Sequence, residues 1–572
     1  MSKWIIKQNT YNMEQGRYGV PASIIQIIKD RGVEDDKIKD YLSDTPQVTY
    51  DPFLLPDLKE AAQLLIDTAK AGKRICVYGD YDADGVTSTT LLFVVLRYLT
   101  DNVCYYVPSR FTDGYGLNNA AIDKIKKDKV DLLITVDCGS TSPGEVDYAK
   151  SLGMDVIITD HHRLRDGQDP ACLFVNPKRP DSKYPFAELS GCGVAFKLAQ
   201  GMQRLLEKDG DLTITKGRLN SLLDLVAIST VADVVPLLDE NRNLVKYGLD
   251  RINRRTRTGL NSLLERLEIN DKIISSANVA FILAPNLNAL GRMDSASLGV
   301  KLLASFDDKT VLDQLADETV KTNIKRKNIQ EETAKICEQA LMMDNCGDYA
   351  PIICAPGAHE GVAGIVAGNL KERFHKPVCI VTPSEDGSLK GTGRSIQGIN
   401  LHELFENCGD VFLRFGGHAG ACGFSLKTEC LGEFRAKMQE LVKAQVEENP
   451  ELKEESLFIE KELAENEKTL EFAEAVQKLE PFGEANPVPL FCVRGAHISN
   501  AYTMGSEGQH LRFNIASADG ISINCVLFTR ANEFKDIVFS GERVDVAGEL
   551  DINEYRGERK LQIKVKDIRL SK

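Results

Sequence analysis

Three carboxylates stand two residues apart in Val77-Tyr-Gly-Asp80-Tyr-Asp82-Ala-Asp84-Gly85, and Thr159-Asp160-His161-His162 sets two of the chain's eight histidines side by side. Hard oxygen donors crowded with imidazoles suit a divalent-metal site. Oxygen-rich donor sets with one imidazole per ion favour manganese or magnesium over zinc, with manganese the first choice. Two adjacent cations in a cleft activate water and neutralise a phosphate together. The first run also matches the opening of an EF-hand calcium loop, which requires a bidentate Glu eleven residues after the first Asp. Leu91 stands there, and the run follows an apolar strand rather than a helix, so calcium is rejected. The bland alternative is a polar turn whose Asp residues cap a helix starting near Val86. A second acidic strand end at Asp137, together with the Asp-His-His run, weighs against it. Asp233, in Val231-Ala-Asp233-Val-Val-Pro236, reads equally well as a residue solvating a helix end.

Residues so far apart need elements that bring them together. Apolar runs at 74–80, 103–108, 131–137, 155–160 and 172–176 alternate with helical patterns. Continuous hydrophobicity belongs to strands covered on both faces, which predicts a doubly wound parallel α/β sheet. Asp80, Asp82, Asp84, Asp137, Asp160, His161 and His162 fall where these strands end, at the edge where open α/β sheets gather their ligands. Helical spacing follows at 193–206 and 219–234. A polar helical stretch over 308–343, with Lys321, Lys325, Arg326 and Lys327, reads as a connector wetted all round. A second α/β unit follows, with strands at 352–355 and 377–382, a helix at 362–374, and glycine-rich turns at 390–395 and 414–420. Residues 488–572 read as short strands of a small β-barrel. The layout is an N-terminal extension (1–50), a first α/β domain (51–300), the connector (301–346), a second α/β domain (347–446), an acidic linker (447–487) and the barrel (488–572).

At 572 residues the chain exceeds one hydrophobic core, so three or four domains are expected. Its fourteen cysteines are scattered, none in Cys-x-x-Cys spacing, which points to reduced thiols in a cytosol. The start lacks an extended apolar h-region and no run approaches the roughly 18 apolar residues that span a bilayer, so a soluble, unexported, cytoplasmic protein is expected. A net charge of −14 argues against a nucleic-acid partner. Its distribution weakens that objection: residues 446–484 carry −9, leaving −5 elsewhere, part of it on the carboxylates that cations would offset. The barrel aromatics Phe491, Tyr502, Phe513, Phe528 and Tyr555 are by default core or packing residues.

The runs 77–85, Thr135-Val-Asp137-Cys-Gly139, Thr159-Asp160-His161-His162, Val175-Asn-Pro-Lys-Arg-Pro180 and Val231-Ala-Asp233-Val-Val-Pro236 together strongly resemble the DHH phosphoesterase superfamily, and within it the family of single-stranded-DNA exonucleases. The likeness covers nearly the whole chain, with a DHH-associated domain around Gly417-His418 and an oligonucleotide-binding (OB-fold) barrel as the tail. It implies Asp82, Asp84, Asp137, His161 and Asp233 as metal ligands with Asp80 beside them, Asp137 bridging two ions, and His162 next to the scissile phosphate as stabiliser or proton donor. It implies a pocket for a 5′ phosphate at Arg110, Thr392 and Arg394, since paired guanidiniums grip phosphate bidentately and so select an end over an internal site. Asn288, Arg292, Ser395 and His418 fall on further substrate positions; taken alone, each Arg would more often be a surface residue and His418 a loop histidine. The implied activity is metal-dependent 5′-to-3′ digestion of single-stranded DNA to mononucleotides in recombination and repair, with a RecQ-like helicase and a single-strand-binding protein as partners. Three positions depart from the family pattern: Asn286 stands where Arg is usual, Ala358 for Trp and Ala485 for Gly. The first removes one expected phosphate contact. Two other functions stay open at this point: a phosphodiesterase of short RNA or nucleotide messengers, and a non-catalytic DNA-binding scaffold.

Overall fold

The computed structural model describes residues 2–7, 17–109, 116–164, 170–293, 295–344, 346–384, 387–516 and 522–571. Arg110 lies outside them. Five apolar runs form one sheet, β1 (Ile75–Gly79), β2 (Val103–Tyr106), β3 (Leu132–Val136), β4 (Asp155–Thr159) and β5 (Leu173–Val175). Every pairing is parallel, in the order β2-β1-β3-β4-β5. Alternate side chains enter separate cores: Ile75, Val77, Leu132, Ile134 and Ile157 pack on one face, and Cys76, Tyr78, Leu133, Val156 and Ile158 on the other. Burial of both faces replaces the alternation of a one-sided strand with a continuous apolar run. The strand order reverses between β1 and β3, so the crevice beyond their carboxyl ends is a topological switch point.

Helix α1 (Ala83–Arg97) leaves β1 almost at once and is buried nearly throughout. Farther on, α2 (Gly191–Lys208) begins two residues earlier than its apolar spacing indicates. The helical pattern over 219–234 divides into a short helix Lys216–Asn220 and α3 (Leu223–Ala232). Then come α4 (Ala284–Met293), continuing a π-helical turn Val279–Leu283, and the 35-residue α5 (Lys309–Met343), whose N-cap Asp308 accepts from Val311 N–H. Contrary to expectation, α5 is not wetted all round. Leu312 and Ala316 enter the core of the first domain and Cys337 that of the second, with Thr319, Asn323, Arg326 and Thr333 also buried. The packed stripe is hidden in the sequence because small and polar residues occupy it in place of a regular apolar repeat.

The second α/β unit contains β6 (Ile352–Cys354), α6 (Glu360–Phe374), β7 (Val378–Pro383), β8 (Ser388–Arg394), β9 (Phe412–His418) and β10 (Ala421–Lys427), in the sheet order β9-β10-β8-β7-β6. Both glycine-rich runs expected as turns lie largely in strands, β8 and β9. A Cβ on Gly391 would fall 2.2 Å from the Phe424 ring and one on Gly393 2.7 Å from Leu401, so these glycines admit side chains lying across the sheet.

The tail is a five-stranded barrel. Strand Leu490–Met504 pairs with both His510–Ala516 and Val544–Tyr555, and Ser522–Leu527 closes in parallel on Glu558–Leu570, with helix Ala531–Val538 between the third and fourth strands. The acidic segment is not a linker. Its helix Leu470–Gln477 sends Phe472, Ala473 and Val476 into the barrel core, and strand Ser456–Ile459 pairs in parallel with Lys3–Ile6. Helix Ala22–Asp30 of the N-terminal extension buries Ile24, Ile25 and Ile28 in that same core. Among the described residues no helix is long and apolar enough to cross a membrane.

Candidate metal centre and phosphate cleft

The turn after β1 delivers the first carboxylates. Asp82 caps α1 by accepting from Gly85 N–H at 3.0 Å. Gly85 is required because a Cβ there would lie 2.3 Å from the Asp80 carbonyl oxygen. Asp84, in the first turn of α1, is fixed by the start of α2: Oδ2 accepts from Gly191 N–H (2.7 Å), and Oδ1 from Cys192 N–H (2.9 Å) and the Ser229 hydroxyl (2.6 Å). Free amides at a helix N-terminus are a natural seat for a carboxylate.

Asp137 follows β3 with φ of 60°, a left-handed conformation costing an ordinary residue about 1–2 kcal/mol. Its amide donates to Thr159 O (3.1 Å), which holds the turn against β4. Gly191 lies so close that a Cβ would come within 2.6 Å of the Asp137 side chain. Asp137 Oδ1 is 3.1 Å from His161 Nε2, which in turn lies 3.7 Å from Asp84 Oδ2 and 3.5 Å from Asp233 Oδ2. Asp233 ends α3, its amide donating to Ser229 O; the exposed, β-branched Val234 that follows is also left-handed, with φ of 57°.

The cluster has two lobes. Donor atoms of Asp80, Asp82 and Asp137 lie within 4.8 Å of one another, and so do those of Asp84, His161 and Asp233. The Asp137–His161 contact joins the lobes. Both contacting atoms are buried and neither is hydrogen-bonded. Burial, and then Asp84 and Asp82, push the Asp137 carboxyl well above the usual carboxylate range; burial and Asp84 raise Asp82; the same pressures raise Asp233 to about 8. Buried carboxylates repelling one another around unpaired donor atoms are what a divalent-cation site looks like without its ions, so these residues fit two cations.

One residue that sequence reasoning left without a role organises the histidines. Buried Asp160 accepts from the backbone N–H groups of His161 (2.7 Å), His162 (3.2 Å) and Ser140 (2.9 Å), and its Oδ1 is 2.8 Å from His162 Nδ1. Burial alone would raise the Asp160 carboxyl, but His162 outweighs it and holds the group well below the usual range. For His162, burial opposes the charge, Asp160 more than offsets this, and the imidazole rises to about 9. His161, more deeply buried, is lowered. Ser190 and Ser229 were also missed; the signal was the Ser190-Gly-Cys-Gly193 helix start, rich in small residues.

The expected substrate residues divide. Thr392 lines a cleft of about 440 Å³ with Tyr81, Lys390 and Arg414, so a residue between two metal-site aspartates faces the second domain. Arg394 donates to Thr392 Oγ1 at 3.0 Å. His418 is exposed at the end of β9; partial burial, then Arg394 and Arg163, lower its proton affinity. Arg163 follows His162 directly, so the two domains face each other here. Asn288, Arg292 and Ser395 instead have partners within the protein. Asn288 Oδ1 accepts from Ala83 N–H (2.8 Å), Arg292 donates to Gly361 O (3.0 Å), and the Ser395 hydroxyl to Ile399 O (2.7 Å). Asn286, which departs from the family pattern, is buried and donates from Nδ2 to Ile282 O (2.8 Å) in the preceding turn, while its Oδ1 has no hydrogen-bond partner.

Carboxylates and imidazoles at the switch point of a doubly wound sheet, facing a second α/β domain across a cleft, define a DHH-type phosphoesterase. Residues 74–230 match the DHH family N-terminal domain, 348–444 the DHHA1 domain and 459–567 the RecJ OB domain. The single-stranded-DNA-specific exonuclease RecJ of Salmonella typhimurium is 37% identical over 534 residues, covering 90% of each chain. RecJ of Bacillus subtilis is also 37% identical, over 91% of this chain, which spans 64% of that longer protein. The crystal structure of Thermus thermophilus RecJ in complex with Mn2+ superposes with a TM-score of 0.82 at 29% identity, covering 100% of this chain and 80% of that one. The chain belongs to the RecJ family.

Proposed function

We propose that this protein is a 5′-to-3′ exonuclease that hydrolyses single-stranded DNA to mononucleotides, with two divalent cations, manganese preferred and magnesium usable, in recombination and repair. The two-lobed carboxylate–imidazole cluster, opening toward a cleft with Lys390, Thr392 and Arg414 on its far wall, carries this reading. Asp80, Asp82, Asp84, Asp137, His161 and Asp233 hold the cations, with Asp137 between the lobes. The bound cations supply Lewis acidity, easing deprotonation of a water and neutralising the phosphoryl oxygens. Asp84, seated on the amides of α2, keeps its lobe rigid as substrate enters. His162, 43% exposed with Nδ1 held by Asp160, presents Nε2–H to the scissile phosphate or the departing oxygen. Thr392 and Arg394 bind the terminal phosphate together with Arg110, and His418 adds a further contact. The barrel holds the strand beyond the site by charge and stacking. A RecQ-like helicase and a single-strand-binding protein supply the single-stranded substrate.

End-labelled single- and double-stranded DNA, with and without a 5′ phosphate, incubated with manganese, tests polarity, strandedness and end recognition together. Mononucleotides released from the 5′ end of single strands are expected, and none after Asp137→Ala in a folded protein. Undiminished release from that variant ends the proposal.

A further inference from the structure

The sheet that carries the metal ligands also carries a pair of thiols. Cys76 on β1 and Cys104 on β2 are direct register partners of a parallel pair. They are the only two cysteines so matched among the described residues. Both lie on the sheet face away from α1, against the cluster containing Ile122, Ile125 and Val130. Because β2 is an edge strand, Cys104 is half-exposed while Cys76 is buried. Cys104 Sγ lies 3.6 Å from Ile75 O, and the neighbouring Cys76 thiol, together with the Arg74 guanidinium, lowers the proton affinity of Cys104 against the opposing effects of burial and Asp128. A half-exposed thiol with thiolate character, backed by a second thiol within reach, is how redox-responsive cysteines are built.

We propose that Cys76 and Cys104 form a reversible disulfide when the protein meets a peroxide, and that the bond slows the enzyme. The Cys104 thiolate attacks a peroxide oxygen, the O–O bond breaks, and Cys104 sulfenic acid forms with release of one water. The Cys76 sulfur then attacks the Cys104 sulfur, the S–O bond breaks and a second water leaves. Each sulfur has given one electron to the peroxide, and the two thiol protons end in the two waters. Neighbouring strands lie about 4.8 Å apart, inside the Cα span of about 4.4–6.8 Å that disulfides accept, but near its short end. The bond is therefore strained and readily opened by a dithiol.

Its position couples it to the site. β1 runs from Cys76 into Asp80 in four residues, so the bond would sit one short strand away from the metal-carrying turn. Prising the strands apart at Cys76 and Cys104 toward the usual disulfide span displaces the metal-carrying turn at the end of β1.

The test uses the full-length protein exposed to hydrogen peroxide, quenched with iodoacetamide and digested without reduction. A Cys76–Cys104 linked peptide that disappears with dithiothreitol is expected. The nuclease rate is expected to fall at least about threefold and to recover on reduction, while Cys104→Ser keeps its rate through the same treatment. Recovery of both cysteines alkylated, or of Cys104 as sulfinic acid with Cys76 alkylated, overturns the proposal whether or not the protein proves to be a nuclease. Equal loss of rate in Cys104→Ser and Cys76→Ser, or a bond that forms without slowing digestion, overturns the switch.

Discussion

The side-chain oxygen of Asn288 accepts the backbone N–H of Ala83 at 2.8 Å, tying α4 to the first residue of the helix that carries Asp84. Gly291 reinforces the tie, since a Cβ there would lie 2.2 Å from the Tyr81 carbonyl oxygen. Through this oxygen Asn288 steadies the metal-carrying turn. Losing the partly buried hydrogen bond and leaving the Ala83 amide unsatisfied costs about 1–3 kcal/mol. Asn288→Ala is therefore expected to weaken manganese binding by roughly tenfold while leaving the KM for DNA at saturating manganese nearly unchanged. Calorimetric manganese titration beside steady-state kinetics separates the two effects.

Asp160→Asn removes the charge that raises His162 to about 9. A group whose folded value is raised contributes stability fully present below its unfolded value of about 6.5 and lost as pH climbs through about 9. In the wild type the imidazole stays protonated across neutral pH. In the variant the alkaline limb of the rate profile is expected to move toward 6.5, and activity at pH 8 to fall about 30-fold, the ratio of the protonated imidazole fractions. A pH–rate profile of both proteins at saturating manganese checks this.

Stripped of metal, the carboxylate cluster works against the fold. Asp233 is raised to about 8 from 3.8, so between those values the folded chain binds more protons than the unfolded one and stability declines as pH rises. Thermal unfolding in EDTA is expected to give a higher Tm at pH 5.5 than at pH 8. Asp233→Asn should raise the Tm of the metal-free protein at pH 8 while abolishing manganese-dependent digestion.

Phe472 tests whether the acidic segment belongs to the barrel. It is 3% exposed and meets Phe491 edge-to-face at 5.6 Å between ring centroids. Phe472→Ala should destabilise the barrel by about 3–5 kcal/mol in urea unfolding, where the same change in a solvated linker would have no effect.

How legible each part was in the sequence follows from how its burial is achieved. The parallel sheet was readable because strands covered on both faces carry unbroken apolar runs, and the metal residues because chemistry-bearing side chains mark the ends of those strands. Phe472 and Val476 were overlooked because glutamates surround them, and a net charge says nothing about which residues face inward. The glycines of β8 and β9 read as turns because sequence cannot tell a glycine that bends the chain from one that makes room for Phe424. Asp160 was visible as a carboxylate, but its work on three backbone amides and His162 depends on a local geometry that spacing does not encode.

The central claim is that Asp80, Asp82, Asp84, Asp137, His161 and Asp233 form one two-cation centre. Anomalous scattering at the manganese edge, from crystals soaked in manganese, tests it most directly. Two peaks about 3.5–4 Å apart, with Asp137 between them, are predicted. A single peak, or manganese bound away from these residues while DNA digestion proceeds, would contradict it.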